Sequence, residues 1–287
     1  MPIQNPVEWS WGQLKAASAS VGSASPAEYW SEADAQAEAP AIRRIGVADL
    51  RHALAEGVED FGAHRTDVLF LCAFYPLAGL FLGALVSGYG LLHLVFPLAA
   101  GFALVGPVAA IGLMEMSRRR ERGEEAGWGR AFGVLRSPSA VPILVLSVAL
   151  LSLFLLWMLV ADAIYNLTLG PWLPASTAAF AHDLFTTPAG WTLIVAGIGA
   201  GFLFAVAALA VSVASFALLL DRPVGLETAV RTSIRAVSLN RGAMALWGMI
   251  VVGGLILGSL PLFLGLVVVL PVLGHATWHL YRRMLPR

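Results

Sequence analysis

His275 and His279 stand four residues apart near the end of the last apolar stretch, the pairing that comes nearest to a metal site in this chain. On a helix that spacing puts both imidazoles on one face, where a single ion could bridge them. The alternative is hydrogen bonding within a helical bundle or to lipid headgroups, beside Trp278 and Tyr281. No carboxylate-rich cluster accompanies the pair, and one helix face cannot supply both axial ligands of a haem. The single cysteine, Cys72, excludes an intrachain disulfide and a cysteine metal cluster. There is no glycine-rich phosphate loop, no serine–histidine–acid set and no pair of carboxylates deep in an apolar stretch. A non-enzymatic chain without a cofactor is the expectation. The remaining residues suited to recognition are arginines. Arg118, Arg119, Arg120 and Arg122 form one cluster, and Arg231 and Arg235 a second. Guanidinium groups in such density suit phosphate-bearing or acidic partners.

The elements that must position these residues are apolar. The 287-residue chain is 58% hydrophobic and 13% charged, far from the soluble balance of roughly 45–50% apolar and about 25% charged. About 20 apolar residues cross the hydrocarbon of a bilayer. Six stretches qualify: Val68–Val86, Leu91–Met114, Ala140–Ala161, Pro188–Leu219, Ala243–Leu257 and Leu262–Leu280. The last two are separated only by Gly258-Ser259-Leu260-Pro261, which reads as a tight turn. Gly197, Gly199 and Gly201 read as sites of close helix packing. The expected fold is an all-α polytopic bundle of about six transmembrane helices arranged as three hairpins.

The basic residues sort by side. The N-terminal region, the Met116–Ser139 segment, the Leu220–Arg241 segment and the C-terminal tail hold 5, 6, 4 and 3 of them. The alternate segments hold none, although the formal net charge is zero. Lys and Arg concentrate on the cytoplasmic side of membranes, so both termini are expected in the cytoplasm. Trp157, Trp172 and Trp191 fall near the outer boundary and Trp128, Trp247 and Trp278 near the inner one, as aromatic belts would. The longer outer segment, Asp162–Thr187, carries Asp162, Asp183 and His182; His93 also falls near the outer boundary.

An amphipathic stretch precedes each hairpin on the basic side. Positions 47, 50, 54 and 58 form the first apolar stripe, Trp128, Phe132 and Leu135 the second, and 226, 230, 234 and 237 the third. Each reads as an interfacial helix with arginines toward lipid phosphates. Residues 1–42 are rich in Ala, Ser and Glu and read as a disordered cytoplasmic tail ahead of a membrane domain at 43–287.

Three further stretches carry a family resemblance. Phe96-Pro97-Leu98-Ala99-Ala100-Gly101-Phe102 runs on through Gly106-Pro107 to Glu115-Met116-Ser117-Arg118-Arg119-Arg120-Glu121-Arg122-Gly123. Leu218-Leu219-Leu220-Asp221-Arg222 follows, and then Val268 to Arg282 with its Gly274-His275-Ala276-Thr277-Trp278-His279 core. Over about Arg43 to Tyr281 the sequence resembles the bacterial predicted integral membrane family known as domain of unknown function 2189 (DUF2189). The resemblance implies a bacterial inner-membrane helical bundle and brings no activity and no site residues.

Three functions follow as expectations. The first is a scaffold, assembly or lipid-engaging factor meeting anionic headgroups on the cytoplasmic side, or another membrane protein, through Arg118, Arg119, Arg120, Arg122, Arg231 and Arg235. The second is a transporter or channel for a small solute, suggested by prolines inside the spans. The third is haem or metal binding at His275 and His279. Nucleic acid is not an expected partner.

Overall fold

The described apolar stretches become helices that run past their predicted C-terminal ends. A computed structural model describes residues 40–63, 84, 92–127, 133–134, 137–171, 175–261 and 263–286. The expected N-terminal tail, the first span Val68–Val86 and most of the second amphipathic stretch lie outside the described residues, as do Trp128 and Trp172. Among the described residues every regular element is helical.

Helix α1 is Val47–Ala63. A short 3-10 turn, Leu92–Leu94, leads into α2 (Val95–Ala109), which Ala110 joins to α3 (Ile111–Glu121). Pro107 lies inside α2 and has no N–H to give the carbonyl one turn before it, while the Ala110 amide still bonds the Gly106 carbonyl at 2.9 Å across the junction. Helix α4, Ala140–Thr168, is 29 residues, about 44 Å at roughly 1.5 Å per residue. The outer segment then forms a helix of its own, α5 (Thr177–Thr186). Its start is capped by the Ser176 hydroxyl, which accepts from the Ala179 amide at 3.1 Å. The next cap follows at once. Thr187 Oγ accepts from the Gly190 amide at 3.0 Å and Pro188 opens α6 (Pro188–Ser212). After a break at Val213-Ala214 the chain continues as α7 (Ser215–Asp221). Helix α8 is Leu226–Leu239, α9 Arg241–Ser259 and α10 Leu266–Met284.

Among the described residues four helical stretches are long and apolar enough to cross a membrane: Val95–Glu121, Ala140–Thr168, Pro188–Asp221 and Arg241–Ser259. The turn expected between the last two stretches lies between Ser259, where α9 ends, and Leu266, where α10 begins. Gly258 there lies so close to Gly265 and Leu266 that an added Cβ would sit 2.8 Å from the Leu266 side chain. Helix α10 returns beside α9 and is not among the four apolar stretches, because its second half carries His275, His279, Arg282 and Arg283.

Two amphipathic helices form where expected, and each packs on the bundle through small residues rather than through the whole of its apolar stripe. In α1 the buried positions are Leu50, Ala53, Gly57 and Asp60, while Val47 and Val58 are exposed. In α8 they are Ala229, Thr232, Ser233 and Ala236, and Ile234 is exposed. The reason is size: small residues let backbones approach, so close packing selects them over the branched stripe. Gly57 shows the limit, since a Cβ there would lie 2.7 Å from both the amide nitrogen and the Cβ of Ala276 on α10. Ser233 performs a second task by accepting from the Ala214 amide at 3.2 Å, at the break between α6 and α7. The tryptophan expectation also changes. Trp157, Trp247 and Trp278 are buried in the bundle rather than facing lipid; Trp191 alone of the described four is exposed. Close packing holds at Gly201, against the Trp157 ring, but Gly197 and Gly199 face open space.

The core is thickest at the arginine end, where α7 is buried from Ser215 to Leu220 among Met114, Trp247, Trp278 and Tyr281. Toward the opposite end, Leu151, Leu155, Leu159, Val195, Phe202 and Leu203 are exposed, a surface that suits hydrocarbon and not water.

Candidate functional site

Ionisable side chains from α1, α3, α7 and α10 meet at the arginine end. The centre is Asp60, on the buried face of α1. Its Oδ2 accepts from the Ser117 hydroxyl at 2.5 Å and from His279 Nε2 at 2.8 Å, and its Oδ1 accepts from Arg120 Nη1 at 2.7 Å. Because the Ser117 hydroxyl proton points to Asp60, Ser117 Oγ accepts from His275 Nδ1 at 2.8 Å, an assignment made from the hydrogen bonds. His279 Nδ1 lies 3.3 Å from Glu56 Oε2, so both ring nitrogens face carboxylate oxygens. Glu56 also accepts from Arg283 at 2.8 Å. Burial pushes the Asp60 carboxyl up, but the hydrogen bonds from His279 and Ser117 and the charges of His279 and His275 outweigh it. The carboxyl therefore titrates below the usual aspartate range.

Two further carboxylates organise the neighbouring arginines. Glu115, almost wholly buried, takes a two-pronged contact from Arg118 at 2.6 and 2.8 Å and a third bond from Arg119 at 2.8 Å. The sequence spacing of three and four residues anticipates this pairing. Asp221, at the end of α7, accepts from the Tyr281 hydroxyl at 2.9 Å and from Arg282 at 3.2 Å, with Arg122 at 3.4 Å. Burial first, and then Asp221, pushes the Tyr281 phenol well above its ordinary value. Glu121 bridges the same helices, accepting from the Trp278 indole at 2.9 Å and from Arg282 at 3.1 Å.

The sequence-predicted residues thus separate into groups. Arg118, Arg119, Arg120 and Arg122 are brought together, but each is engaged by a carboxylate of the same chain. Arg231 and Arg235 lie on the exposed face of α8, Arg231 pairing with Glu227 on its own helix. His275 and His279 share a helix face as expected and both connect to Asp60, His275 through Ser117. Among the described residues no group of three or more His, Cys, Asp or Glu side chains is placed to hold a metal ion. Asp60, Ser117 and Asp221 escaped sequence reasoning. Asp60 does carry a signal, an acid in register with the small residues Ala53 and Gly57.

A cavity of about 310 Å³ opens beside this network, between α3, α7 and the start of α4. Arg118, Arg119 and Arg222 line it with the carboxylates Glu115 and Asp221, beside Ser137, Pro138 and Ser139. Ser139 precedes the first turn of α4 and makes no side-chain cap; the Ala140 amide instead bonds the Ser137 carbonyl at 3.0 Å, and Pro142 brings no N–H to that turn.

Residues 95–221 match the model of the DUF2189 family of predicted integral membrane proteins, the family that the sequence resembles. The matched region takes in the Phe96–Gly123 motif and ends at Asp221, so the His275 motif and α1 lie beyond it. No curated protein and no solved structure matches the chain. The family description and the apolar helices agree: this is a helical integral membrane protein.

Proposed function

We propose that the chain is a non-enzymatic, lipid-engaging scaffold of the bacterial inner membrane, with six spans and both termini in the cytoplasm. Helix α10 and the Val68–Val86 stretch supply the two spans beyond the four apolar ones. Its arginine end holds the phosphate of an anionic lipid in the cavity between α3, α7 and α4. The observation that carries this reading is the cavity itself, where Arg118, Arg119 and Arg222 converge beside the start of a 29-residue helix. Glu115 takes bonds from Arg118 and Arg119, Glu124 lies 3.4 Å from Arg119, and the guanidinium groups keep further N–H donors for an anion. The dipole at the helix start favours a phosphate. Outside the cavity, exposed Ile234 and Leu239 beside Arg231 and Arg235 let α8 meet the bilayer surface.

The test compares thermal midpoints in nanodiscs of phosphatidylcholine with and without phosphatidylglycerol. Anionic lipid at a hundred times its dissociation constant would add about 2.7 kcal/mol of stability. Removing Arg118 or Arg119 would strip Glu115 of partners, so the informative variants are Arg222→Gln and Ser139→Asp. Arg222→Gln should reduce the gain from phosphatidylglycerol. Ser139→Asp places a carboxylate at the cavity wall and should abolish the gain from anionic lipid. Equal midpoints for the unaltered protein in both lipids would refute the reading.

A further inference from the structure

The end of the bundle opposite the arginines holds a second cavity, larger and of different chemistry. It measures about 540 Å³ and lies among α2, α4, α5 and α6. Phe96, Trp157, Phe180, Phe185 and Ile198 line it, and His93 contributes its one ionisable side chain. Phe96, Phe185 and Ile198 are otherwise exposed on the lipid-facing surface, so the cavity opens toward hydrocarbon. Its size lies in the ordinary range for a small-molecule site of roughly 300–1,000 Å³.

His93 is held in a defined state. It sits on the 3-10 turn before α2, its ring stacks on Tyr165 at a centroid separation of 4.0 Å, and its side chain is 6% exposed. Its Nε2 meets Asp162 Oδ1 at 2.9 Å. Asp162, half-exposed at the end of α4, takes a further bond from Asn166 Nδ2 at 2.9 Å. A carboxylate can only accept here, so in the neutral imidazole Nε2 carries the proton and Nδ1 keeps its lone pair, an assignment made from the hydrogen bond. That nitrogen is buried and has no hydrogen-bond partner. A shielded acceptor in an apolar, aromatic wall calls for a donor that arrives with a ligand.

We infer that this cavity binds a hydroxyl-bearing apolar molecule from the outer leaflet, its hydroxyl donating to His93 Nδ1 and its apolar body filling the aromatic cleft. Asp162 fixes the tautomer, so it positions the acceptor without touching the ligand. The inference is independent of the proposed phosphate site, from which it is separated by the length of the spans. An acyl chain would fill the same cleft without regard to His93, and the two occupants differ in one respect: only the hydroxyl compound needs the nitrogen.

The experiment uses the full chain in phosphatidylcholine nanodiscs, with 4-nonylphenol and its methyl ether at equal membrane fractions. The ether has the same body and no donor. The phenol should raise the thermal midpoint and bind at least ten-fold more tightly than the ether. His93→Phe should abolish that preference. Asp162→Asn provides an independent variant, since its amide can donate to Nε2, move the ring proton to Nδ1 and turn the preference toward the ether. Diacylglycerol and a quinol, compared with their methylated forms in the same assay, distinguish a lipid alcohol from a ring alcohol as the natural source. Equal binding of phenol and ether by the unaltered chain would overturn the inference, leaving an acyl-chain groove. Discrimination that survives in His93→Phe and in Asp162→Asn would overturn it as well.

Discussion

Removing the Asp60 carboxylate should loosen the arginine end of the bundle. Three donors converge on it, Ser117 at 2.5 Å, Arg120 at 2.7 Å and His279 at 2.8 Å. Hydrogen bonds to charged groups contribute about 1.5–3 kcal/mol each where buried. The Arg120 side chain is 42% exposed, so its share falls to the surface-pair range of up to about 1 kcal/mol. His279 keeps Glu56 at 3.3 Å after the change, and its charge is not left alone. Asp60→Ala should therefore cost about 3–5 kcal/mol, the range for breaking a buried pair by removing one partner. Asp60→Asn, which keeps one acceptor oxygen, should cost roughly half of that on the same grounds. Both are read from reversible unfolding in mixed micelles at neutral pH. The pH dependence gives an independent check. The folded-state carboxyl titrates below the usual range. Its contribution is complete above the unfolded aspartate value of about 3.9 and is lost as pH falls from there through the folded value. The gap between the unaltered protein and Asp60→Asn should close in that acid window and stay constant above it. A loss below about 1 kcal/mol for Asp60→Ala, outside the range for a buried pair, would refute the argument, as would a gap that narrows between neutrality and pH 5.

Two more predictions follow from the same interface. Gly57→Leu places a Cβ 2.7 Å from the backbone nitrogen of Ala276 and 2.8 Å from the carbonyl oxygen of Val272. Backbone cannot yield as a side chain can, so α1 must lift from α10, at or above the ~3 kcal/mol upper end of ordinary overpacking. Gly62→Leu, with nothing within 4 Å of the new Cβ, should be tolerated in the same unfolding assay. Tyr281 should stay un-ionised in alkali, since burial and then Asp221 raise its pKa. Its contribution to stability is complete below the unfolded tyrosine value of about 10 and is lost as pH rises beyond it. An ultraviolet titration of the folded protein should show no tyrosinate signal that disappears in Tyr281→Phe until the chain unfolds.

The positions of the described apolar helices were legible from hydropathy, because crossing a bilayer constrains length and composition so tightly. Their ends were less so. Ala140–Ala161 extends to Thr168, and α5 emerged from the outer segment, to which no helix was assigned, although Ser176 and Thr187-Pro188 both carry helix-start chemistry. The faces that α1 and α8 turn to the bundle were not legible, for a definite reason. Periodicity finds large apolar residues, whereas packing against a neighbouring helix selects small ones, and Gly57 and Ala53 carry little hydropathy signal. The local pairing of Glu115 with Arg118 and Arg119 was readable from spacing alone. The network around Asp60 was not, because its partners lie 57 to 219 residues away along the chain.

The arginines illustrate how one residue can serve two stages of a membrane protein's life. Orientation is set during insertion by Lys and Arg near the span ends, and Asp and Glu contribute little to it. A carboxylate can therefore neutralise an arginine in the folded bundle without having weakened the topology signal. Arg118, Arg119, Arg120 and Arg122 fit that pattern, each facing an acid that spacing or folding brings to it. Their density on one side of the membrane is then poor evidence for a free basic surface. The capacity to bind an anion concentrates where acids are outnumbered by donors, at the Arg118–Arg119–Arg222 cavity and the start of α4. Charge-neutralising substitutions across the whole cluster would disturb folding and lipid binding together. Arg222→Gln leaves Asp221 its partners Arg122, Arg282 and Tyr281 but removes the bond from Arg222 to the Pro286 carbonyl at 2.6 Å, so its midpoint in phosphatidylcholine is the baseline against which its response to anionic lipid separates the two.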